Sequence, residues 1–327
     1  WSSHAAGVAW CRGRPRVQQA RTIVGGRRTS TVSVLPLAVG SRRAYLPAGE
    51  RLPSLSGSDA ARAAFLETAS LTVTGRLTSA SNVVFECVVE SQTSPGTGPR
   101  STRCVYKPVA GEQPLWDFPG SVLARHEVAA GEICRLLGYE YVPLAVWRDD
   151  APAGPGVLVE WVDADVTADV GVFAVGSLPT AWLPVLQGTD EHDQEVVVAH
   201  RDTQELADIA VLDVIINNSD RKVGHLLGDG SAIRAIDHGV AFHPEWKLRT
   251  VLWGFAGRSL SPAQRNAVAR VAASVADPAE LARLAPHVQE LGEAARTGIV
   301  TRCENLLHSG VFPSPRPGWP VVPWPLW

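Results

Sequence analysis

Residues 217–239 read NNSDRKVGHLLGDGSAIRAIDHG and carry two carboxylates at the two mouths of a hairpin-like stretch. Asp220 follows a long apolar run, Asp237 closes a short one, and a Gly-Asp-Gly turn stands between them. With 223–227 as one strand and 232–236 as its return, antiparallel pairing brings Asp237 back opposite the region of Lys222. Asp220, His225 and Asp237 then converge at the open end of the hairpin. Two carboxylates in one place repel unless a cation sits beside them. A divalent metal carrying a phosphate satisfies both, and phosphoryl transfer is a chemistry that needs these parts. It takes one Asp to orient the attacking hydroxyl and a second, with another ligand, to hold Mg²⁺. It also takes a Lys from a strand in another lobe to grip the phosphates and a helix Glu to pin that Lys.

The upstream sequence offers that pair. Lys107 ends the predicted strand RCVYK (103–107), where it shares a face with Val105, and Glu127 lies early in a predicted helix over 121–138. They are twenty positions apart, the length a strand, loop and helix need for the two to meet. Glu132 on the same helix is a second possible partner for the lysine. Residues 69–90 read as strand, turn, strand, and the turn GRLTSASN (75–82) supplies Gly75, Ser81 and Asn82 for backbone and side-chain contacts to phosphate. Two more strands follow at 141–147 and 157–162, and 91–102 is a polar hairpin tip.

Beyond this sheet-plus-helix lobe the pattern over 163–201 is weak. A strong helix is predicted over 203–217, with Asp202 as its cap and Glu205 completing a capping box. Residues 261–308 read as two or three helices started or broken by Pro262, Pro278 and Pro286. The tail SPRPGWPVVPWPLW holds five prolines and three tryptophans, so it packs along the surface rather than forming a helix.

Composition sets the bounds. The chain has 327 residues, a formal charge of −3 and 45% hydrophobic residues, enough for one two-lobed domain or two ordinary ones, with no global signal for nucleic acid. No run reaches the length of a membrane span. Five scattered cysteines without a CxxC pair read as buried thiols in a reducing, cytoplasmic compartment. The first 49 residues hold eight arginines and no acid, a composition shared by organelle transit peptides and by translated upstream sequence. Residues 1–60 are therefore set aside as a disordered or wrongly assigned arm.

The order Lys107, Glu127, Asp220-Arg221, Asp237-Gly239 resembles the kinase superfamily. The apolar helix, the Asp-Arg, the hairpin and the Ile-Asp-x-Gly look most like the phosphatidylinositol 3-/4-kinase branch. Residues 65–327, including CVYKPVAGEQPLWDFPG and the Pro/Trp tail, are similar to a group of bacterial proteins of that class. The resemblance implies an α+β, two-lobed protein-kinase-like fold. Its N-lobe, 65–162, would be an antiparallel sheet plus helix, and its C-lobe, 163–327, mainly helical with the catalytic hairpin.

It further implies an ATP- and Mg²⁺- or Mn²⁺-dependent phosphotransferase whose acceptor, lipid, protein or small molecule, is left open. Lys107 would bind phosphates, Glu127 would orient it, Asp220 would be the catalytic base, and Asp237 would hold the metal. Glu160, Trp161 and Val162 would form the hinge beside adenine. Where the lipid kinases carry a metal-binding Asn, this chain has His225, an imidazole better suited to softer ions such as Mn²⁺. Where others have Asp-Phe-Gly, it has Asp237-His238-Gly239. Lys222 adds positive charge near the transferring phosphoryl group. A nucleotide-binding scaffold without turnover and an adenylyl transferase on the same fold are the alternatives.

Other residues have plainer readings. Asn217 and Asn218 end a helix, and Trp116 anchors the loop before the next helix in the core. His225, His238 and His243 lack an i,i+4 pair, which argues against a transition-metal hydrolase. The segment HPEWKLRTVLWGFAG, with Trp246, Lys247, Arg249 and Trp253, would face the acceptor.

Overall fold

A computed structural model describes residues 57–78, 81–91, 100–118, 120, 122–190, 192–228 and 232–327, and the backbone of 19–22. Most of the N-terminal arm, the core of the polar hairpin tip, Ser79 and Ala80 of the 75–82 segment and the 229–231 turn lie outside the described residues. The chain is a mixed α+β fold. Its first elements are β1 (Gln19–Thr22), α1 (Gly57–Thr68), β2 (Ser70–Leu77), β3 (Val84–Ser91), β4 (Arg100–Pro108), α2 (Leu123–Leu136), β5 (Ala145–Arg148) and β6 (Gly156–Glu160).

Strands β2 to β6 form one antiparallel sheet in the order β2-β3-β4-β6-β5. Alternation along the strands gives the sheet two different faces. Cys87, Cys104, Tyr106 and Leu158 pack against Ala63 and Leu66 of α1. Val157 and Ala145 pack against Ala124 and Val128 of α2. Lys107 lies directly opposite Val157 in the ladder, so it shares the face that α2 covers. Close approach of β4 and β6 depends on Gly156, because a Cβ there would stand 2.4 Å from the Lys107 carbonyl oxygen.

The second half is built on β7 (Asp165–Val166), β8 (Val170–Ala174), β9 (Trp182–Thr189), β10 (Glu195–Arg201), α3 (Gln204–Ile216), β11 (Leu226–Gly228), β12 (Ile233–Ala235), α4 (Pro262–Ala276), α5 (Pro278–Leu284), α6 (Pro286–Glu290) and α7 (Glu293–Ser309). Helix α3 is apolar on nearly every side beyond its first turn and is buried from Asp208 to Ile216, as such a helix must be. The large core around it takes in Ala129, Ile133 and Leu136 of α2, so α2 is shared between both halves.

Several expectations are corrected here. Residues 163–201 are not patternless: β8, β9 and β10, with β1, form a four-stranded sheet ahead of the helices α3 to α7. Pro184 sits inside β9, beside a bulge where Val198 pairs with Leu186 and Ala199 with Pro184, and that break hides the alternation. The N-terminal boundary also moves. Helix α1 begins at Gly57, inside the segment set aside, and β1 pairs with β9. Thr203 caps α3 through its hydroxyl, which accepts from Leu206 N at 3.3 Å, while Asp202 pairs with Arg258 instead. Pro262, Pro278 and Pro286 open α4, α5 and α6. The Pro/Trp tail packs across the hairpin, with Val223 N donating to Leu326 O and Trp253 Nε1 to Val321 O. Cys87, Cys104, Cys134 and Cys303 are buried free thiols.

His200 on β10 is fully buried against the Phe255 ring, with Nδ1 donating to the Arg201 carbonyl at 2.8 Å and Nε2 unpaired. Burial lowers its pKa to about 4. A histidine depressed in the folded state contributes its full stability above its unfolded value of about 6.5 and loses it as pH falls toward the folded one. Urea unfolding should show the parent protein losing about 2 kcal/mol more than His200→Phe between pH 7 and pH 5. Equal losses in the two would contradict this.

Candidate functional site

The site is assembled around the N-terminus of α2. Glu112 closes that end, its carboxylate accepting from Leu123 N at 3.0 Å and Ala124 N at 2.7 Å, so the helix starts with two of its free donors satisfied. One turn further, Glu127 is buried and bridges two parts of the fold. Its Oε1 accepts from Lys107 Nζ at 2.5 Å and its Oε2 from His238 N at 2.9 Å. His126, next to it, donates from Nδ1 to the Gly239 carbonyl at 2.7 Å. Helix α2 therefore holds the strand lysine with one carboxylate oxygen and the Asp237-His238-Gly239 segment with the other and with an imidazole.

From the opposite side the same segment is held by Arg221, whose side chain is fully buried. The guanidinium forks onto Asp213, with Nε to Oδ2 at 3.0 Å and Nη2 to Oδ1 at 2.9 Å. Its Nη1 donates to the Ile236 carbonyl at 2.9 Å, and its Nη2 meets His238 Nε2 at 2.7 Å. Arginine can only donate, so His238 Nε2 accepts and the proton of the neutral ring is on Nδ1, facing Glu127. Burial, then the neighbouring guanidinium, lowers the His238 pKa and keeps it neutral.

Asp237 leaves this clamp with φ 62°, a left-handed backbone that a non-glycine residue adopts at a cost. The result is that its carboxylate, about half exposed, projects toward Lys107: Oδ1 is 2.9 Å from Nζ, and Oδ2 is 3.3 Å from His225 Nε2. Lys107 holds Asp237 well below the usual carboxylate range. Burial would pull the Lys107 ammonium down, but Asp237 and Glu127 outweigh it and hold the ammonium above its ordinary value. His225 is lowered to about 4, chiefly by burial, and is uncharged at neutral pH. Asp220, positioned by its N–H to Asn218 Oδ1 at 3.0 Å, pairs with Lys222 Nζ at 3.3 Å. Burial raises its pKa against the pull of Lys222.

Lys107, Glu127, His225 and Asp237 thus form one connected group, and Asp220 with Lys222 stands beside it as a second pair. Glu132 does not compete for the lysine, because its carboxylate receives His287 and Val288 at the start of α6. Among the described residues no three His, Cys, Asp or Glu side chains gather into a metal cage. The residues present fit a divalent ion only in part: Asp237 offers hard carboxylate oxygens on its open side and His225 a neutral imidazole. Oxygens from elsewhere, such as nucleotide phosphates, would have to complete the shell.

The remaining expected positions fall less neatly. Gly75 lies inside β2 at a bulge opposite Glu86, not in the turn. Ser81 and Asn82 are in the turn but are tied to Gln113, whose N–H donates to Asn82 Oδ1 and whose side-chain amide donates to the Ser81 carbonyl. At the expected hinge, the Glu160 carboxylate is paired with Arg62 of α1, and the Glu160 and Trp161 N–H groups bond to Leu144 O and Arg103 O. Only Val162, among the three, has no backbone acceptor for its N–H among the described residues. Trp116 is 86% exposed rather than core, with Lys247 Nζ 5.2 Å above its ring. Trp253, expected to face the acceptor, is buried.

Sequence reading missed Asp213, His126 and Glu112. Asp213 had a signal, a lone carboxylate within the apolar run AVLDVII. Such a residue needs a buried partner, and an arginine eight positions on is one. Asn217 and Asn218 do end the helix, and both also brace loops: Asn217 Nδ2 donates to the His243 and Glu245 carbonyls, and Asn218 Nδ2 to Asp213.

No protein-family model matches the chain. Protein Rv2133c of Mycobacterium tuberculosis is 41% identical over 274 residues, which cover 80% of this chain and 94% of that protein. Among solved structures, that of hydra Fam20 with sugar overlaps 76% of this chain and 86% of its own at 12% identity with a TM-score of 0.42, too loose an overlap to carry an argument.

Removing one partner from a buried ion pair strands the other charge. Asp213→Ala should therefore cost about 3–5 kcal/mol in urea unfolding, whereas Asp237→Asn, at a half-exposed carboxylate, should cost far less. The reverse ranking would contradict the assignment of Arg221 as the buried anchor.

Proposed function

The chain belongs to one family with Protein Rv2133c of Mycobacterium tuberculosis, and for it we propose an ATP- and divalent-metal-dependent phosphotransferase with a two-lobed kinase-like fold. The observation that carries this reading is the position of Lys107 Nζ, held by Glu127 at 2.5 Å and facing Asp237 at 2.9 Å across the cleft between sheet and hairpin. Those are the parts needed to hold a polyphosphate: an ammonium fixed by a helix carboxylate, and a second carboxylate for its counter-cation.

In this reading Glu127, fully charged and buried, keeps the ammonium extended toward the phosphates. Asp237 and His225 hold the divalent ion, which would neutralise charge on the phosphate oxygens. Asp220 accepts the proton of the acceptor hydroxyl as its oxygen bonds to the γ-phosphorus and ADP departs. Burial of Asp220 favours that role, because it makes the carboxylate a better base. Lys222, paired with Asp220, adds positive charge beside the transferring group. Val162 is the hinge residue whose N–H is left to read an adenine edge. Gly75 has no contact to phosphate in this version, and Ser81 and Asn82 shape the turn over it.

On the acceptor side, Lys247 sits between the rings of Trp116 at 5.2 Å and Trp319 at 5.3 Å and is paired with Asp117 at 3.0 Å, and Arg249 binds the Ser219 carbonyl beside Asp220. Cations set among aromatic rings suit an anionic acceptor. A second reading, a nucleotide-binding scaffold, is favoured by one observation: His225 faces Asp237 where an amide ligand would otherwise serve the metal. Transfer of an adenylyl group instead of a phosphoryl group uses the same residues, and the mass added to the acceptor separates the two.

Calorimetric titration with ATP and Mn²⁺ or Mg²⁺ should show metal-dependent binding that weakens about tenfold or more in Lys107→Ala and in Asp237→Asn. Asp220→Asn should keep that binding and lose release of labelled γ-phosphate. Undiminished binding in both of the first two variants would overturn the proposal. Binding without turnover in the parent protein would leave the scaffold reading.

A further inference from the structure

Away from this group an open cavity of about 690 Å³ lies between α7 and the loop that follows the hairpin. Trp246, Thr301, Arg302, Asn305 and Arg316 line it. Arg302 is 5% exposed. Its Nε donates to the Ile215 carbonyl at the end of α3 at 2.8 Å, and its Nη1 reaches the His243 carbonyl at 3.5 Å. Those bonds are a structural role. Its Nη2 is different: it is buried and has no partner, and among the described residues no carboxylate pairs with this guanidinium.

A buried cation without a counter-charge is costly, and burial pulls this guanidinium down to about 10. Space has been kept for it. The helix position beside it is Gly298, where a Cβ would stand 2.8 Å from Arg302 Nη1 and 3.5 Å from Pro244 Cα. A second cation, Arg316, lies over the Trp246 ring at 4.8 Å, and the indole Nε1 of Trp246 is also buried and unpartnered. Arg302, Arg316, Trp246, Thr301 and Asn305 line one cavity, with Arg302 Nη2 and Trp246 Nε1 buried in its wall and a single acid, Glu293, in the lining. Donors predominate in that set, and its charge is positive.

We propose that this cavity is a binding site for a phosphate-class oxyanion, with Arg302 Nη2 as the buried donor and Arg316, Trp246, Thr301 and Asn305 around it. The site does not depend on the phosphotransferase reading. It shares the 243–247 loop with the candidate active site, since Asn217 holds the carbonyls of His243 and Glu245 and Arg302 meets the first of them.

The test uses the full chain carrying Lys107→Ala, which removes the candidate nucleotide site as a competing anion binder. Inorganic pyrophosphate is titrated by calorimetry, and phosphatidylcholine vesicles containing phosphatidic acid are tested by co-sedimentation. Binding to pyrophosphate identifies a soluble anion, and binding to the vesicles alone identifies a lipid headgroup. In either arm Arg316→Glu, at an exposed position, should weaken binding about tenfold or more, and a folded Arg302→Met should weaken it further. Failure of both probes, or affinity retained in Arg316→Glu or in a folded Arg302→Met, overturns the proposal.

Discussion

A fully buried guanidinium sets the geometry of the cleft between the five-stranded sheet and the hairpin. Arg221 is among the largest of the fully buried side chains of the described residues, and its donors are spent on Asp213, on the Ile236 carbonyl and on His238. Such a group is tolerated inside a protein only where its charge and its N–H directions are met together. That demand ties the middle of α3, the end of β12 and the start of the Asp237-His238-Gly239 segment to one plane. The backbone on either side of Arg221 is bound as well, through its N–H to Arg249 O and Val251 N to its carbonyl.

The second constraint comes from α2. Its outer half covers the five-stranded sheet and its inner half belongs to the large core, so it cannot move with one and not the other. Glu127 and His126 project from the part that lies between them. Through these two side chains the lysine of β4 and the backbone of His238 and Gly239 are referred to the same rigid element. The unusual backbone of Asp237 is then explained: with its neighbours fixed from both sides, the residue adopts a left-handed φ of 62° that points its carboxylate into the cleft. Of the five non-glycine residues with positive φ among those described, Asp237 is the one that faces Lys107 and His225.

Much of this arrangement was legible in the sequence, and the rest was hidden for identifiable reasons. Lys107 and Glu127 could be paired because strand alternation and helix phase each leave one face to meet. Asp220, His225 and Asp237 could be grouped because a short hairpin has few registers, and Leu226 opposite Ala235 is close to the one expected. The three strands over 170–201 were not legible, since a proline and a bulge interrupt β9 and its partners are read only in the sheet. The role of Arg221 was hidden because an Asp-Arg pair on paper looks like surface charge, and only the packing of α3 shows the arginine turned inward. Trp116 misled in the opposite direction: a large aromatic residue reads as core, yet here it stands in solvent beside a lysine. The hinge was the weakest expectation because it rested on place alone, and two of its three N–H groups turn out to be used by the sheet.

The most direct measurement of the central claim is electron–nuclear double resonance of bound Mn²⁺ in the presence of ATP, on protein carrying ¹⁵N-labelled histidine. If Asp237 and His225 hold the metal opposite Lys107, the spectrum will contain a ³¹P coupling from the nucleotide and a ¹⁵N coupling from one imidazole, and the nitrogen signal will vanish in His225→Ala. A spectrum identical to that of Mn²⁺-ATP free in solution, or a nitrogen signal that survives His225→Ala, would contradict it.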